Sequence, residues 1–200
     1  MRSKISLKRS LIVLGIAGII FSSIIIFFLT LDLSSPTSGQ ASQNPQQADL
    51  IRFPIRLRIP KINIDAAVEH VGLTSHGTMD VPKGPADVAW FDLGPRPGEN
   101  GSAVIAGHEG WKNGIPAVFD NLYKLQKGDE LYVEDEKGAI TTFVVREVRM
   151  YGENEDASVV FGSSDGKAHL NLITCEGIWN AAQKSYSNRL IVFTDKGIKS

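Results

Sequence analysis

The 200-residue sequence predicts an all-β fold, a closed or nearly closed barrel of short strands. Three observations carry that expectation. Apolar and charged residues alternate with period two in two early runs, Ile55–Leu57–Ile59 against Arg56–Arg58, and Ile62–Ile64–Ala66–Val68 against Asn63–Asp65–Glu69. Short apolar runs then recur to the C-terminus, parted by turn signals such as Gly128-Asp129 and Lys137-Gly138. Strands and long helical patterns nowhere alternate as βαβ units would require, and there is no internal repeat.

Ahead of the barrel come three segments of different composition. Residues 1–10 carry Arg2, Lys4, Lys8 and Arg9 and no acid. Leu11 to Leu31 contains no charged residue, and as a helix it would be about 31 Å long, the thickness of a bilayer's hydrocarbon core. With basic residues before it and Asp32 after it, the positive-inside rule sets the N-terminus in the cytoplasm and the body outside the cell membrane. The alternative is a cleaved signal peptide, with a small-residue site at Gly39-Gln40-Ala41; the length of the apolar run favours a single-pass anchor. Residues 32–50 are rich in Ser, Gln and Pro, lack aromatics and read as a flexible tether. Residues 51–200 form the folded domain.

Within that domain the expected strands are 55–59, 62–69, 102–106, 130–134, 140–148, 169–175 and 189–194. Pro60-Lys61 interrupts the first two, and Gly98-Glu99-Asn100-Gly101 leads into the third. Ala117 to Leu125 is the one candidate short helix, with Val118, Leu122 and Leu125 on one side. Without the four N-terminal basic residues the chain keeps 17 basic against 22 acidic side chains, a net −5, so it has no electrostatic footprint for nucleic acid. The single cysteine allows neither an internal disulfide nor a thiolate zinc site.

That cysteine, Cys175, ends the run His169-Leu170-Asn171-Leu172-Ile173-Thr174-Cys175, with Gly177 expected to stop the strand just after it. A thiol at the exit of a rigid strand is mounted as a nucleophile should be, although a free cysteine is also often a small buried hydrophobe. At its ordinary pKa a thiol is mostly protonated at neutral pH and needs a base or a cation nearby. Of His70, His76, His108 and His169, His108 is the best placed, at the glycine-flanked exit of strand 102–106. His70 and His76 read as solvated, and His169 lies about 20 Å along the strand from the thiol. Arg189 is the only arginine after the cysteine. It guards a strand edge or, if its strand pairs beside the Cys strand, faces the same cleft and donates to a substrate carbonyl.

Leu172-Ile173-Thr174-Cys175, the Gly107-His108 strand exit and Asn188-Arg189-Leu190 together resemble the sortases, cysteine transpeptidases of Gram-positive cell surfaces. The opening Arg58-Ile59-Pro60-Lys61-Ile62, the Val71-Gly72-Leu73 and Gly77-Thr78-Met79 segments and Pro97-Gly98 fit the same pattern. The resemblance spans about Ile51 to Asp195. It implies an eight-stranded β-barrel with one or two short helices, in which Cys175 is the nucleophile, His108 the general acid/base and Arg189 the stabiliser of the oxyanion or substrate. It further implies cleavage of an LPxTG-like sorting signal through a thioacyl intermediate. An amine, such as a cell-wall precursor or a pilin lysine, then receives the acyl group, so that surface proteins are joined to the wall or to each other.

Thr174, Glu176 (with its backbone N–H as an oxyanion donor) and Trp179, in the 177–187 loop, are candidates for substrate contact. No metal ligand or cofactor is required; the acidic run Glu153, Glu155, Asp156 would suit Ca²⁺ by ligand type but reads first as a solvated loop. The compact domain, without an insertion long enough for a lid, looks like the class D, E or F groups. Two alternatives remain open on the residues: a thiol hydrolase with the same three residues, and a membrane-tethered binding barrel with a structural cysteine.

Overall fold

The computed structural model describes residues 52–152, 155–180 and 185–197, with side chains at all of these except 178–180 and 185. The segments expected as cytoplasmic N-terminus, anchor and tether, residues 1–50, lie outside the described residues. Among the described residues no helix is long and apolar enough to cross a membrane.

Eight strands form a closed barrel: β1 Pro54–Ile59, β2 Ile64–Val71, β3 Val88–Phe91, β4 Gly101–Gly107, β5 Glu130–Asp135, β6 Ile140–Gly152, β7 Ala168–Asn180 and β8 Ser185–Lys196. Around the barrel they run β1-β2-β3-β4-β7-β8-β6-β5, and β5 closes back onto β1. The β2–β3 and β4–β7 pairs are parallel and the others antiparallel. A parallel pair cannot be closed by a tight hairpin. β4 and β7 therefore meet only after the chain has built β5 and β6, which brings Gly107 and Thr174 together across 67 positions of sequence.

The alternation read from the sequence fills the interior. Leu57, Ile59, Ile64, Ala66, Ala103, Ile105, Leu131, Val133, Phe143, Leu170, Leu172 and Val192 form one cluster with Trp90 and Phe119. A second cluster, Val104, Tyr151, Val160, Ile191 and Phe193, covers the other face of β4 and β8 beneath the 3-10 turn Ser158–Val160. Thus β4, β7 and β8 are apolar on both faces, which is why their sequences read as near-continuous hydrophobic runs.

Four expectations are corrected by the structure. Ile55, expected to be buried with Leu57 and Ile59, is 45% exposed. The register between β1 and β5 shifts between Pro54 and Arg56, and a bulge of one residue reverses the side-chain parity before it. β3 was not foreseen: four residues with Val88, Ala89 and Trp90 all buried show no alternation. The stretch 117–125 is not an α-helix. Its backbone closes i→i−3 bonds instead, Asp120 N to Ala117 O, Leu122 N to Phe119 O and Leu125 N to Leu122 O, with a 3-10 turn at Leu122–Lys124. Nine residues are too few for helix propensity alone to hold an α-helix. Finally, β7 does not stop at the thiol. Gly177 adopts φ +93° and the β7–β8 register shifts between Glu176 and Trp179, so the strand passes through a bulge and continues to Asn180.

Gly107, the last residue of β4, has a steric reason to be glycine. A Cβ there would lie 2.8 Å from Val118 Cγ1 and still closer to the buried Phe119 ring. We expect Gly107→Ala to destabilise the domain by about 1–3 kcal/mol through overpacking, read as a lower denaturation midpoint with an unchanged slope.

Candidate active site

Three strands mount the site. In the β7–β8 register Cys175 lies directly opposite Arg189. Their neighbours Leu172, Leu190 and Val192 face the barrel interior and Ile173 and Ile191 the second cluster, so alternation sets Cys175 and Arg189 together on the outer face. β4 runs parallel on the other side of β7, with Ala106 opposite Ile173. Beyond that pair Thr174 is bonded to Gly107 O, so His108 leaves β4 at the same end of the barrel at which β7 carries Cys175. Cys175 on β7, Arg189 on β8 and His108 directly after β4 thus belong to three neighbouring strands or their exits at one end of the barrel.

His108 sits in a fixed cradle. Its Nε2 is 2.8 Å from the Pro82 carbonyl, and its ring packs at a tilt against Trp111, with centroids 4.7 Å apart. A carbonyl only accepts, so Nε2 carries the proton and donates it there. Nδ1 is the nitrogen left to take up or release a proton. The loop that follows is pinned by Asp120, whose carboxylate accepts from Gly110 N at 2.7 Å and Ala117 N at 3.0 Å, while Phe119 N donates to His108 O at 2.9 Å.

Arg189 is held by its own strand: Nη1 donates to the carbonyls of Tyr186 and Asn188 at 3.0 and 2.9 Å. Cys175 is half-buried and free. Burial pushes its thiol above the ordinary value, the Arg189 guanidinium pulls it down, and the Glu109 carboxyl pushes it up. Arg189 is thus the cation that favours the thiolate.

The remaining candidates fall differently. Thr174 is buried and its hydroxyl donates to Gly107 O at 2.8 Å, tying β7 to the exit of β4 on the face opposite Cys175. Glu176 lies opposite Asn188 in register, and its side chain meets Glu109. The backbone of Trp179 pairs with Tyr186, so part of the expected 177–187 loop is an extension of the β7–β8 hairpin; the Trp179 side chain lies outside the described residues. Of the acidic run considered for calcium, Glu153 also lies outside them. Glu155 holds Arg149 at 2.7 Å and Asp156 accepts from Ser158 N at 2.9 Å. No group of three or more His, Cys, Asp or Glu able to hold a metal occurs among the described residues. His70 is exposed and its Nε2 donates to Pro54 O; His169 is buried at the far end of β7, between Asp165 and Asp195.

Pro82, Glu109, Trp111 and Asp120 were missed in the sequence. Only Glu109 had a signal, as the neighbour of His108; the others reach the site through loops whose packing no local pattern encodes.

Residues 57–196 match the family model described as Sortase domain. No curated protein matches the chain. Among solved structures, sortase C1 of GBS pilus island 1 is 21% identical with a TM-score of 0.54, over 73% of this chain and 64% of that one, so the chain spans less than two thirds of its length. Sortase A from Corynebacterium diphtheriae, a lid mutant, is 23% identical with a TM-score of 0.56, over 78% of this chain and 76% of that one. Sortase C-1 from Actinomyces oris is 24% identical with a TM-score of 0.58, over 82% and 86%. These likenesses are of fold.

Proposed function

The chain belongs to the sortase family, and from that premise we propose that it is a membrane-anchored cysteine transpeptidase that cleaves an LPxTG-like sorting signal and passes the acyl group to an amine. The observation that carries this reading is the cross-strand pairing of Cys175 with Arg189 beside the Gly107-His108 exit of β4.

In the proposed reaction the Cys175 thiol gives its proton to His108 Nδ1, and the thiolate attacks the threonine carbonyl of the sorting signal. The C–S bond forms and the carbonyl oxygen takes up negative charge. Arg189 and the Glu176 backbone N–H donate to that oxygen, where stabilisation by fixed dipoles and charges is most effective. The C–N bond then breaks, and the departing amine takes a proton from His108 Nδ1, which the Pro82 carbonyl has left as the exchanging nitrogen. The acceptor amine enters, gives its proton to His108 and attacks the thioester. A new amide forms and the thiolate leaves. The chemistry runs on side chains and backbone alone. Donors are surface proteins with a C-terminal sorting signal; the acceptor is a cell-wall precursor or a pilin lysine. In this reading residues 1–10 are cytoplasmic, 11–31 anchor the chain, 32–50 tether it, and residues 51–200 act outside the membrane.

Mass spectrometry of the full-length chain, mixed with LPxTG-type peptides and a glycine-based amine, tests this. A thioacyl adduct on Cys175 with an amine-ligated product is expected. An adduct that yields only free acid would favour a hydrolase. Absence of any adduct, with a thiol inert to alkylation in the folded state, would favour a binding barrel.

A further inference from the structure

The second residue past Gly107 and the second past Thr174 are both glutamates, and Thr174 is itself bonded to Gly107 O. The Glu109 and Glu176 carboxyl groups lie close enough to act on each other. Two carboxyl groups that close cannot both ionise without cost, so one of them tends to keep its proton. Glu109 Oε2 is shielded from water and has no hydrogen-bond partner, a poor setting for a full negative charge. We propose that Glu176 holds a proton on Glu109, and that the loss of this proton places a negative charge beside Cys175 which restrains its ionisation.

Glu109 is then a positioning residue, acting on the reaction through the thiol. The inference rests on Cys175 being the nucleophile. Burial, Glu176 and Asp120, in that order, push the Glu109 carboxyl up to about 7. Glu109 in turn pushes the Cys175 thiol up. The charged and titratable groups around the pair come from each neighbouring element. His108 stands at the β4 exit and Asp120 ahead of the Leu122–Lys124 turn; Cys175 is on β7; Arg189 and Tyr186 are on β8, with the Tyr186 hydroxyl 4.0 Å from where a Cβ on Gly110 would stand.

The sign follows from which charge appears when. Below about pH 6 Glu109 is neutral and the thiol feels only Arg189 against burial. Above about pH 8 Glu109 is charged and the thiolate is disfavoured. Iodoacetamide alkylation of Cys175 in the full-length chain, followed from pH 5 to 9, reads the thiolate directly. Glu109→Gln should leave the rate unchanged below pH 6 and raise it about threefold above pH 8, the effect of one nearby charge removed. Glu176→Gln should do the reverse, since Glu109 then loses its proton earlier: about threefold slower between pH 5 and 7 and like the wild type above 8. A purely structural pair would not shift two variants in opposite directions in different pH windows. If either folded variant superimposes on the wild type across the range, the proposal is wrong, and should one variant not fold, the other decides alone. A wild-type thiol that is not alkylated at all would instead overturn Cys175 as nucleophile.

Discussion

Cys175→Ala should abolish acyl transfer, with a fall of at least about 10⁴-fold in turnover, because no other side chain at the site can form the thioacyl bond. The substitution removes one half-buried sulfur from a strand whose neighbours Leu172 and Thr174 stay buried. The fold should therefore survive, and a thermal midpoint within a few degrees of the wild type is the control. Peptide binding should also persist, since substrate affinity does not depend on the bond that Cys175 forms. Substantial turnover by a folded Cys175→Ala chain, measured by the amine-ligated product, would remove the thioacyl mechanism.

Arg189→Ala should lower kcat by about 10²–10³-fold, the usual loss when a preorganised oxyanion donor is removed. Its second effect has a definite sign. Burial already holds the Cys175 thiol above its ordinary value and the Arg189 guanidinium opposes that shift, so without the arginine the thiol should ionise at still higher pH. Alkylation should then slow at neutral pH, and its profile should move up. Arg189→Lys separates the two roles. A lysine keeps a positive charge but not the fork that lets Arg189 use Nη1 on the Tyr186 and Asn188 carbonyls while other N–H groups point elsewhere. It should restore most of the alkylation profile while kcat stays low. Equal recovery of both would mean that Arg189 acts by charge alone.

These two substitutions could be chosen from the sequence, and the reason is physical. Period-two alternation is a local consequence of the pleat, so Leu57 and Ile59 on one run and Ile64 and Ala66 on the next were readable as inward-facing. The buried runs ending at Gly107 and Cys175, and the apolar run after Arg189, were readable as strands covered on both faces. Where the local signal was short or interrupted the reading failed. β3 has four residues and no alternation, the bulge at Pro54–Arg56 reverses Ile55, and Gly177 looked like a stop because a glycine at a bulge and one at a turn are identical in sequence.

From its sequence alone the chain determined the barrel class, the position of a thiol, an imidazole and a guanidinium at strand ends, and the family pattern that joins them, because residue type and strand parity are local properties. Only the tertiary structure decided what surrounds those groups. The Pro82 carbonyl fixes the tautomer of His108, Thr174 is committed to Gly107, and Glu109 meets Glu176. Each of these contacts joins segments far apart in the chain, through a parallel strand pair or a loop, and the energy of such a contact depends on a geometry that exists only once the barrel has closed.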